Sequence, residues 1–543
     1  MRGGRVVAVS AVSALVLAAL YLTLPATGSD LSAQVARAGF FAEHGAALVD
    51  LRWYGGVHPW GYSLVSPPLM ALLGVRVTGA LALLASATAF AALLVRARVP
   101  RPLLGSLVGV VTIAGNLVSG RVTYALGVAF GLAALLALTV PARRTRLASG
   151  AAAEPAGPGG GRSAWAAVAA GAAALLASAA SPVAGLFVGL AGVALLLTRR
   201  YADGLLLAVP AAAPLAVTGL LFGEGGWMNI STADTVHAVV TSLVVAALVA
   251  YRPVRVGALL SAAGVLASAL LHTPVGLNAT RLVVMFALPV LAAAATLPAP
   301  LADRLRAAGR RSRVVGAVGL AALLAVVCWW QPPVVTADLR SADDPTADPA
   351  YFAPLRAELA RRGLTGRVEV PPTRNYWEAA HMGDVPLARG WLRQADIDRN
   401  ALFFTTVPGA DGTGVPLTPI TYRDWLADNA VQYVAVPDAE FSWVGSSEAK
   451  LVETGQPYLT EVWSDRHWKL YAVAEPTPLV GAPGELVRQD GASITFRTPA
   501  AGPIPIRVRH DRWLTVDGGA EVIRDGKWTT VTVPRAGTYT LKS

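Results

Sequence analysis

Asp30 opens a stretch in which acid, amide and base recur at helical spacing. Asp30, Gln34, Arg37 and His44 fall on one face of a helix; Leu31, Val35, Ala38 and Ala42 fall on another. A carboxylate here has two uses. It caps the helix by accepting from its first amides, or it acts as a general base on a hydroxyl held within hydrogen-bond reach. The next string is Asp50-Leu51-Arg52-Trp53-Tyr54-Gly55-Gly56-Val57-His58-Pro59-Trp60-Gly61-Tyr62-Ser63. Its glycines, aromatics, acid, base and histidine suit a sugar or headgroup pocket, where aromatic faces pack on the ligand and polar tips orient it. The same residues also suit an aromatic belt at a membrane surface.

Arg52, His58, Arg121 and Arg281 are candidates for binding an anion such as a lipid-linked phosphate, because a guanidinium sets paired N–H groups on phosphate oxygens. A second dense string runs from Asn375 to His381 and from Leu387 to Gln394. Its Trp377, Glu378, Arg389, Trp391, Arg393 and Gln394 combine stacking surfaces with directed donors and acceptors, as carbohydrate binding requires; a buried Arg–Glu pair in a folded core is the alternative. Neither CxxC nor HExxH occurs, so the sequence assigns no metal ligands. The lone cysteine, Cys328, excludes an intrachain disulfide.

The elements that must position these groups are largely apolar. Of 543 residues, 54% are hydrophobic and 15% charged, against about 25% charged in an ordinary soluble domain. Runs long enough to span a bilayer cover roughly 5–24, 68–96, 102–118, 122–140, 164–180, 182–198, 203–222, 235–251, 256–271, 279–298 and 313–331, about eleven helices in all, with the first part of 68–96 re-entrant or tilted. Arginines sort the loops between them. Arg2 and Arg5, Arg96, Arg98 and Arg101, Arg143, Arg144, Arg146 and Arg162, Arg199 and Arg200, Arg252 and Arg255, and Arg304, Arg306, Arg310, Arg311 and Arg313 fall on one side. Arg37, Arg52, Arg76, Arg121 and Arg281 fall on the other. The rule that cytoplasmic loops are arginine-rich sets the N-terminus inside and, with an odd helix count, residues 332–543 outside the cell membrane. It also accounts for the net charge of +11 without nucleic acid. Residues 147–163 read as a Gly/Ala/Pro linker. The polar groups gather at the outer end: Asp30, Gln34, Arg52, His58, Asn116, Arg121, Glu224, His237, His272, Asn278 and Arg281. A proton-driven carrier instead places ionisable groups near mid-membrane.

Three regions follow: a transmembrane domain at 1–331, an extracytoplasmic α/β domain at 332–478 and a small β-rich module at 479–543. In the second, Tyr351–Gly363 and Thr421–Asn429 read as helices, and Arg367–Val370, Leu402–Thr405, Val431–Val436 and Trp468–Val473 as strands. In the third, Ser493–Arg497, Ile504–Val508 and Thr529–Val533 read as strands.

A first helix followed by an outer loop with an acid just past the membrane and an interfacial helix resembles the GT-C superfamily of polytopic glycosyltransferases. The strings Trp53-Tyr54-Gly55-Gly56, Gly61-Tyr62-Ser63, Pro67-Pro68-Leu69, Ser181-Pro182-Val183-Ala184-Gly185, Phe222-Gly223-Glu224-Gly225-Gly226 and Asn278-Ala279-Thr280-Arg281-Leu282 resemble those of actinobacterial integral membrane proteins over most of the chain. The GT-C resemblance implies a polyprenyl-phosphate-linked sugar as donor, a cell-envelope glycan or glycolipid as acceptor, a membrane-lipid setting, and Asp30 as the first-loop carboxylate that serves as catalytic base. Many GT-C members carry two acids there. Here the partner position is Ser32 or Gln34, which leaves a divalent metal open and favours a metal-independent mechanism. A transporter or lipid-linked-sugar flippase, and a non-catalytic envelope assembly protein, are the other readings.

Overall fold

The computed structural model describes residues 3–140, 163–223, 225–296, 303, 311–410 and 414–543. The linker at 147–163 other than Ser163, the arginines at 2, 143, 144, 146, 162, 304, 306 and 310, and Glu224 lie outside the described residues.

The N-terminal region is helical: α1 Gly3–Thr23, α2 Leu31–His44, α3 Ser66–Leu73, α4 Val75–Arg96, α5 Pro102–Val118, α6 Val122–Ala137, α7 Ala164–Ala180, α8 Pro182–Leu197, α9 Tyr201–Phe222, α10 Thr232–Leu248, α11 Arg252–Leu270, α12 Arg281–Ala294 and α13 Arg311–Trp330. Among the described residues, five stretches are long and apolar enough to cross a membrane: Gly3–Thr23, Val75–Arg96, Tyr201–Phe222, Arg252–Leu270 and Gly276–Ala294. The other apolar helices offer shorter apolar stretches, Val314–Trp330 in α13 among them, so by length and composition the structure supports fewer spans than the eleven expected. The 68–96 run divides in two at Gly74, whose φ of +88° suits glycine and ends α3 before α4 begins. The 164–180 and 182–198 runs divide at Ser181, whose hydroxyl caps α8 by accepting from Ala184 N at 3.3 Å, with Pro182 in the first turn.

Packing decides which helices are central. The apolar windows of α4 and of Gly276–Ala294 are 61% and 67% buried, against 22% for α9 and 17% for α11. Leu205, Val209, Leu220, Leu259 and Leu270 are left exposed on the latter two, an apolar surface of the kind that lipid covers.

The C-terminal region holds the sheets. Strands β1 Arg367–Glu369, β2 Val431–Pro437, β3 Leu459–Ser464 and β4 Trp468–Val473 form one sheet in the order β1-β2-β4-β3, with β1 and β2 parallel and the other pairs antiparallel. Helices α14 Ala353–Arg362, α15 Arg393–Arg399, α16 Pro419–Asp428 and α17 Trp443–Glu453 accompany it. The strand expected at Leu402–Thr405 is instead a 3-10 turn, Ala401–Phe403, in which Phe403 N and Phe404 N donate to Asn400 O and Ala401 O. Leu402, Phe403 and Phe404 are all buried, which a turn allows and the alternation of a half-buried strand does not.

Strands β5 Glu485–Gln489, β6 Ser493–Thr498, β7 Gly502–Arg509, β8 Thr515–Val516, β9 Glu521–Asp525, β10 Trp528–Val533 and β11 Gly537–Lys542 build two further sheets, β7-β10-β9 and β5-β6-β11-β8. Their alternating inward residues, among them Phe496, Ile506, Val531 and Leu541, form one core, and Val49 and Leu51 from the segment between α2 and α3 complete it.

That segment joins all three parts. Leu51 N donates to Gly491 O at 2.8 Å, Leu387 N to Arg52 O at 2.7 Å and Arg509 N to Gly55 O at 2.7 Å. Trp53 and Tyr54 are 2% exposed, with the Tyr54 hydroxyl donating to Gly390 O. Residues 50–57, read from sequence as part of a ligand pocket, are therefore mostly an internal joint. Beyond it, Arg512 Nη2 donates to Leu220 O and Leu221 O at 2.6 and 2.7 Å, satisfying carbonyls of the last turn of α9.

Candidate functional site

Asp30 stands at the N-cap position of α2, yet its side chain makes no cap hydrogen bond. Its Oδ2 instead meets Arg121 Nε at 3.3 Å and Arg281 Nη2 at 3.2 Å. Two glycines allow this. Gly28 at φ +95° packs on the backbone of Val118 and Ser119, and Gly120 at φ +75° packs on Leu31; a Cβ at either would overlap those atoms. The residues around Asp30 thus lie against the turn between α5 and α6, with Asp30 N donating to Ser119 O at 3.2 Å. Asn116 shapes that turn, its Nδ2 donating to Arg121 O at 3.2 Å.

Arg121 immediately precedes α6, and Arg281 is the first residue of α12. Both guanidiniums are therefore at helix N-termini, where the backbone dipole disfavours a cation and favours an anion. Asp30 supplies one negative charge between them. A second acid lies behind: Asp338, buried, accepts from Ser119 Oγ at 2.6 Å. Burial raises its carboxyl above the usual range, against the Ser119 hydrogen bond and the charge of Arg121. Sequence reasoning passed over Asp338; its only signal is an acid shortly after the last apolar run.

These groups border a cavity of about 390 Å³. Asp30, Arg121, Arg281, Asn116, Asn278 and His237 line one side, and Trp391, Arg393, Gln394 and Tyr376 line the other. Trp391 Nε1 donates to Ser29 O at 2.6 Å, which fixes the indole beside Asp30. Trp330 and Gln331, at the end of α13, also contribute; Gln331 Oε1 is buried without a hydrogen-bond partner. Arg37, beside the cavity, places its guanidinium 4.0 Å over the Tyr62 ring, and its Nη1 is likewise buried without a partner. Burial lowers the Arg37 pKa, with Tyr62, Asp30 and Asp50 opposing.

At Tyr124 the cavity adjoins an apolar groove of about 360 Å³ among α4, α6, α8, α10, α11 and α12, walled by residues such as Val128, Phe187, Gly257 and Phe286. Tyr124 lines both spaces, and its hydroxyl has no hydrogen-bond partner.

Several residues predicted from sequence lie elsewhere. Arg52 is buried in a bidentate pair with Asp50, Nε to Oδ1 at 2.9 Å and Nη2 to Oδ2 at 2.8 Å, and also donates to Ala36 O. His58 pairs through Nε2 with Asp511 Oδ2 at 2.7 Å, in a different cleft. Trp377 is buried and stacked on His381 at 5.0 Å. Glu378 is buried and accepts from Thr373 Oγ1 at 2.6 Å; burial pushes its carboxyl up to about 8. Arg389 is buried among Asp396, Glu448 and Glu369, bound to the first two at 3.0 and 2.9 Å. Burial raises the carboxyls of both Glu369 and Glu448, with the charge of Glu448 adding to the first and that of Asp396 to the second, although Arg389 opposes both. Trp377, Glu378 and Arg389, each 3% exposed, are thus part of the buried packing of the α/β fold. Ser32 and Gln34 are also occupied, Ser32 Oγ by Asn375 O and Gln34 by Asp30 O and Thr123.

Around Asp30 two guanidiniums meet Oδ2, and their positive charge disfavours a divalent cation beside it. Among the described residues, one group has metal-ligand spacing, Glu43, His44 and Asp384, and it does not line the cavity.

No family model matches the chain, and no curated protein matches it. Among solved structures, it is similar to a single-particle cryo-EM structure of the arabinofuranosyltransferase AftD from Mycobacteria, with a TM-score of 0.47 and 15% identity over 99% of this chain and 60% of that one. The chain thus spans less than two thirds of that protein's length.

Proposed function

We propose that this protein is a glycosyltransferase of the outer membrane face, moving a sugar from a polyprenyl-phosphate donor to a cell-envelope acceptor. The observation that carries the reading is the meeting at Tyr124 of a polar cavity holding Asp30, Arg121 and Arg281 with an apolar groove among the helices. A ligand with a charged phosphate head and a long hydrocarbon tail fits that pairing. The phosphate enters between Arg121 and Arg281, each of which gives one N–H to Asp30 and carries further donors. The tail lies in the groove.

Asp30 takes the proton of the acceptor hydroxyl. The acceptor oxygen then forms its bond to the anomeric carbon, the bond from that carbon to the phosphate oxygen breaks, and the lipid phosphate leaves with its new charge balanced by the two guanidiniums. Trp391, Arg393 and Gln394 face this reaction from the α/β side and hold the acceptor. A transport path through the helices needs polar groups along its length; here the lining of the groove is almost wholly apolar, which favours transfer over transport.

The test is Asp30→Asn in a deletion strain. The variant accumulates in the membrane at the wild-type level and fails to restore the envelope glycan that the deletion removes. Full restoration overturns the assignment of Asp30.

A further inference from the structure

Tyr124 stands on the boundary between the polar cavity and the apolar groove and lines both. It belongs to the first turn of α6, just after Arg121. Its ring is well packed. The Arg281 guanidinium lies 5.5 Å from the ring centroid, and Phe187 of the groove meets the ring edge-on at 6.2 Å. The residue is 1% exposed, and its hydroxyl is buried without a hydrogen-bond partner among the described residues.

Packing alone does not ask for that hydroxyl. A phenyl ring fills the same space and makes the same edge contact, and a buried O–H that gives up water for no new bond destabilises the fold. Other hydroxyls that line the cavity are occupied. Thr112 donates to Gly109 O at 3.1 Å, Ser119 to Asp338 Oδ2 at 2.6 Å and Thr280 to Leu277 O at 2.8 Å. In the groove, Ser242 and Ser261 also carry unpaired hydroxyls, but a serine within a helix can turn its hydroxyl onto a carbonyl of the preceding turn. The Tyr124 hydroxyl sits at the far end of an apolar ring and has no such recourse.

The position of this hydroxyl narrows its partner. In a lipid-linked phosphate, the ester joins a charged head to a hydrocarbon chain, and Tyr124 marks the place where the cavity of Arg121 and Arg281 gives way to apolar walls. An ionised phosphate accepts hydrogen bonds and donates none, so it matches an O–H that lacks an acceptor. We infer that the Tyr124 hydroxyl donates to a phosphate oxygen of the lipid-linked substrate, an assignment that rests on the phosphate seat proposed above. Tyr124 then joins the two guanidiniums as a third group on the phosphate and sets the depth to which the head enters. The hydroxyl gains its bond only in the complex.

The experiment uses the full chain in detergent, with polyprenyl phosphate and the uncharged polyprenol of the same chain length as probes. Tyr124→Phe removes one oxygen and keeps the ring. Its affinity for polyprenyl phosphate is expected to fall about tenfold or more, the loss of one hydrogen bond to a charged group. Its affinity for polyprenol stays at the wild-type value, and its ligand-free Tm equals or exceeds that of wild type. A lower ligand-free Tm means that the hydroxyl has a partner inside the fold, and an equal loss for both probes means that it shapes the groove; either result overturns the inference. Wild type and variant binding polyprenyl phosphate alike, both in preference to polyprenol, overturns the role of Tyr124 and leaves the phosphate seat standing. A wild type that does not prefer polyprenyl phosphate to polyprenol overturns the seat as well.

Discussion

Arg281 and Asp30 stand 251 residues apart in the chain and 3.2 Å apart in space. The pair joins the start of α12 to the start of α2, and Arg121 closes the triangle from the start of α6. In the proposed mechanism, phosphate binding and base function are separable. Arg281→Met removes a phosphate donor and leaves the carboxylate, so the affinity for a polyprenyl-phosphate sugar falls about tenfold or more, about 1.4 kcal/mol or above. Asp30→Asn leaves that affinity near wild type and removes turnover. Measured donor binding against turnover in the two variants checks the division; matching losses in both would falsify it.

Arg52 offers the opposite outcome. Its guanidinium and Asp50 are each about 95% buried and bind one another bidentately. Arg52→Met strands a buried carboxylate and destabilises the protein by about 3 to 5 kcal/mol, whereas Asp50→Leu combined with Arg52→Met recovers much of the loss. Donor affinity of the folded fraction is unchanged. Thermal unfolding in detergent with binding on the same samples measures both.

The buried Glu378 gives a pH signature. Its folded pKa is about 8, above its value of 4.5 in an unfolded chain. The unfolded state therefore releases the proton first as pH rises, and the contribution of Glu378 to stability, full below pH 4.5, is lost progressively up to about pH 8. Glu378→Gln cannot ionise and removes that slope, on the order of a few kcal/mol. The fall in Tm between pH 5 and pH 8 is expected to be smaller in the variant, and an identical fall would rule this role out.

Gly257 lines the apolar groove, and a Cβ there would meet Ala194 and Leu190 at 3.8 Å, ordinary contact distance. Gly257→Leu places a side chain in the groove from a Cβ that its neighbours accommodate, and it raises helix propensity in α11. Transfer from a long-chain lipid donor is expected to slow several-fold, while transfer from a short-chain analogue of the same head is preserved. Comparing the two donors in one membrane preparation decides it.

Much of the architecture was legible because apolar periodicity and caps are local. The runs at 5–24, 102–118 and 164–180 match α1, α5 and α7 closely, and the helix expected after Asp30 is α2, Leu31–His44, although both its polar and its apolar faces are buried in the fold and it does not lie at an interface. Local signals failed where long-range burial decides. Leu402–Thr405 has strand composition, but the core surrounds all of its apolar side chains and a turn results. Trp377, Glu378 and Arg389 look like a sugar site in one dimension, because aromatic, acid and base together describe a buried network as well as a binding one.

The same limit governs the site. From the chain alone came a shortlist: an acid after the first helix and a few arginines that run against the topology of the rest. Residue type and helix-end position are local properties, so that much required no tertiary information. The fold decided which members of the shortlist meet. Arg121 and Arg281 converge on Asp30 because Gly28 and Gly120 permit close backbone packing, whereas Arg52 turns to Asp50 and His58 to Asp511. Contacts spanning 91 and 251 residues depend on how α2, α6 and α12 pack, and no local pattern encodes that.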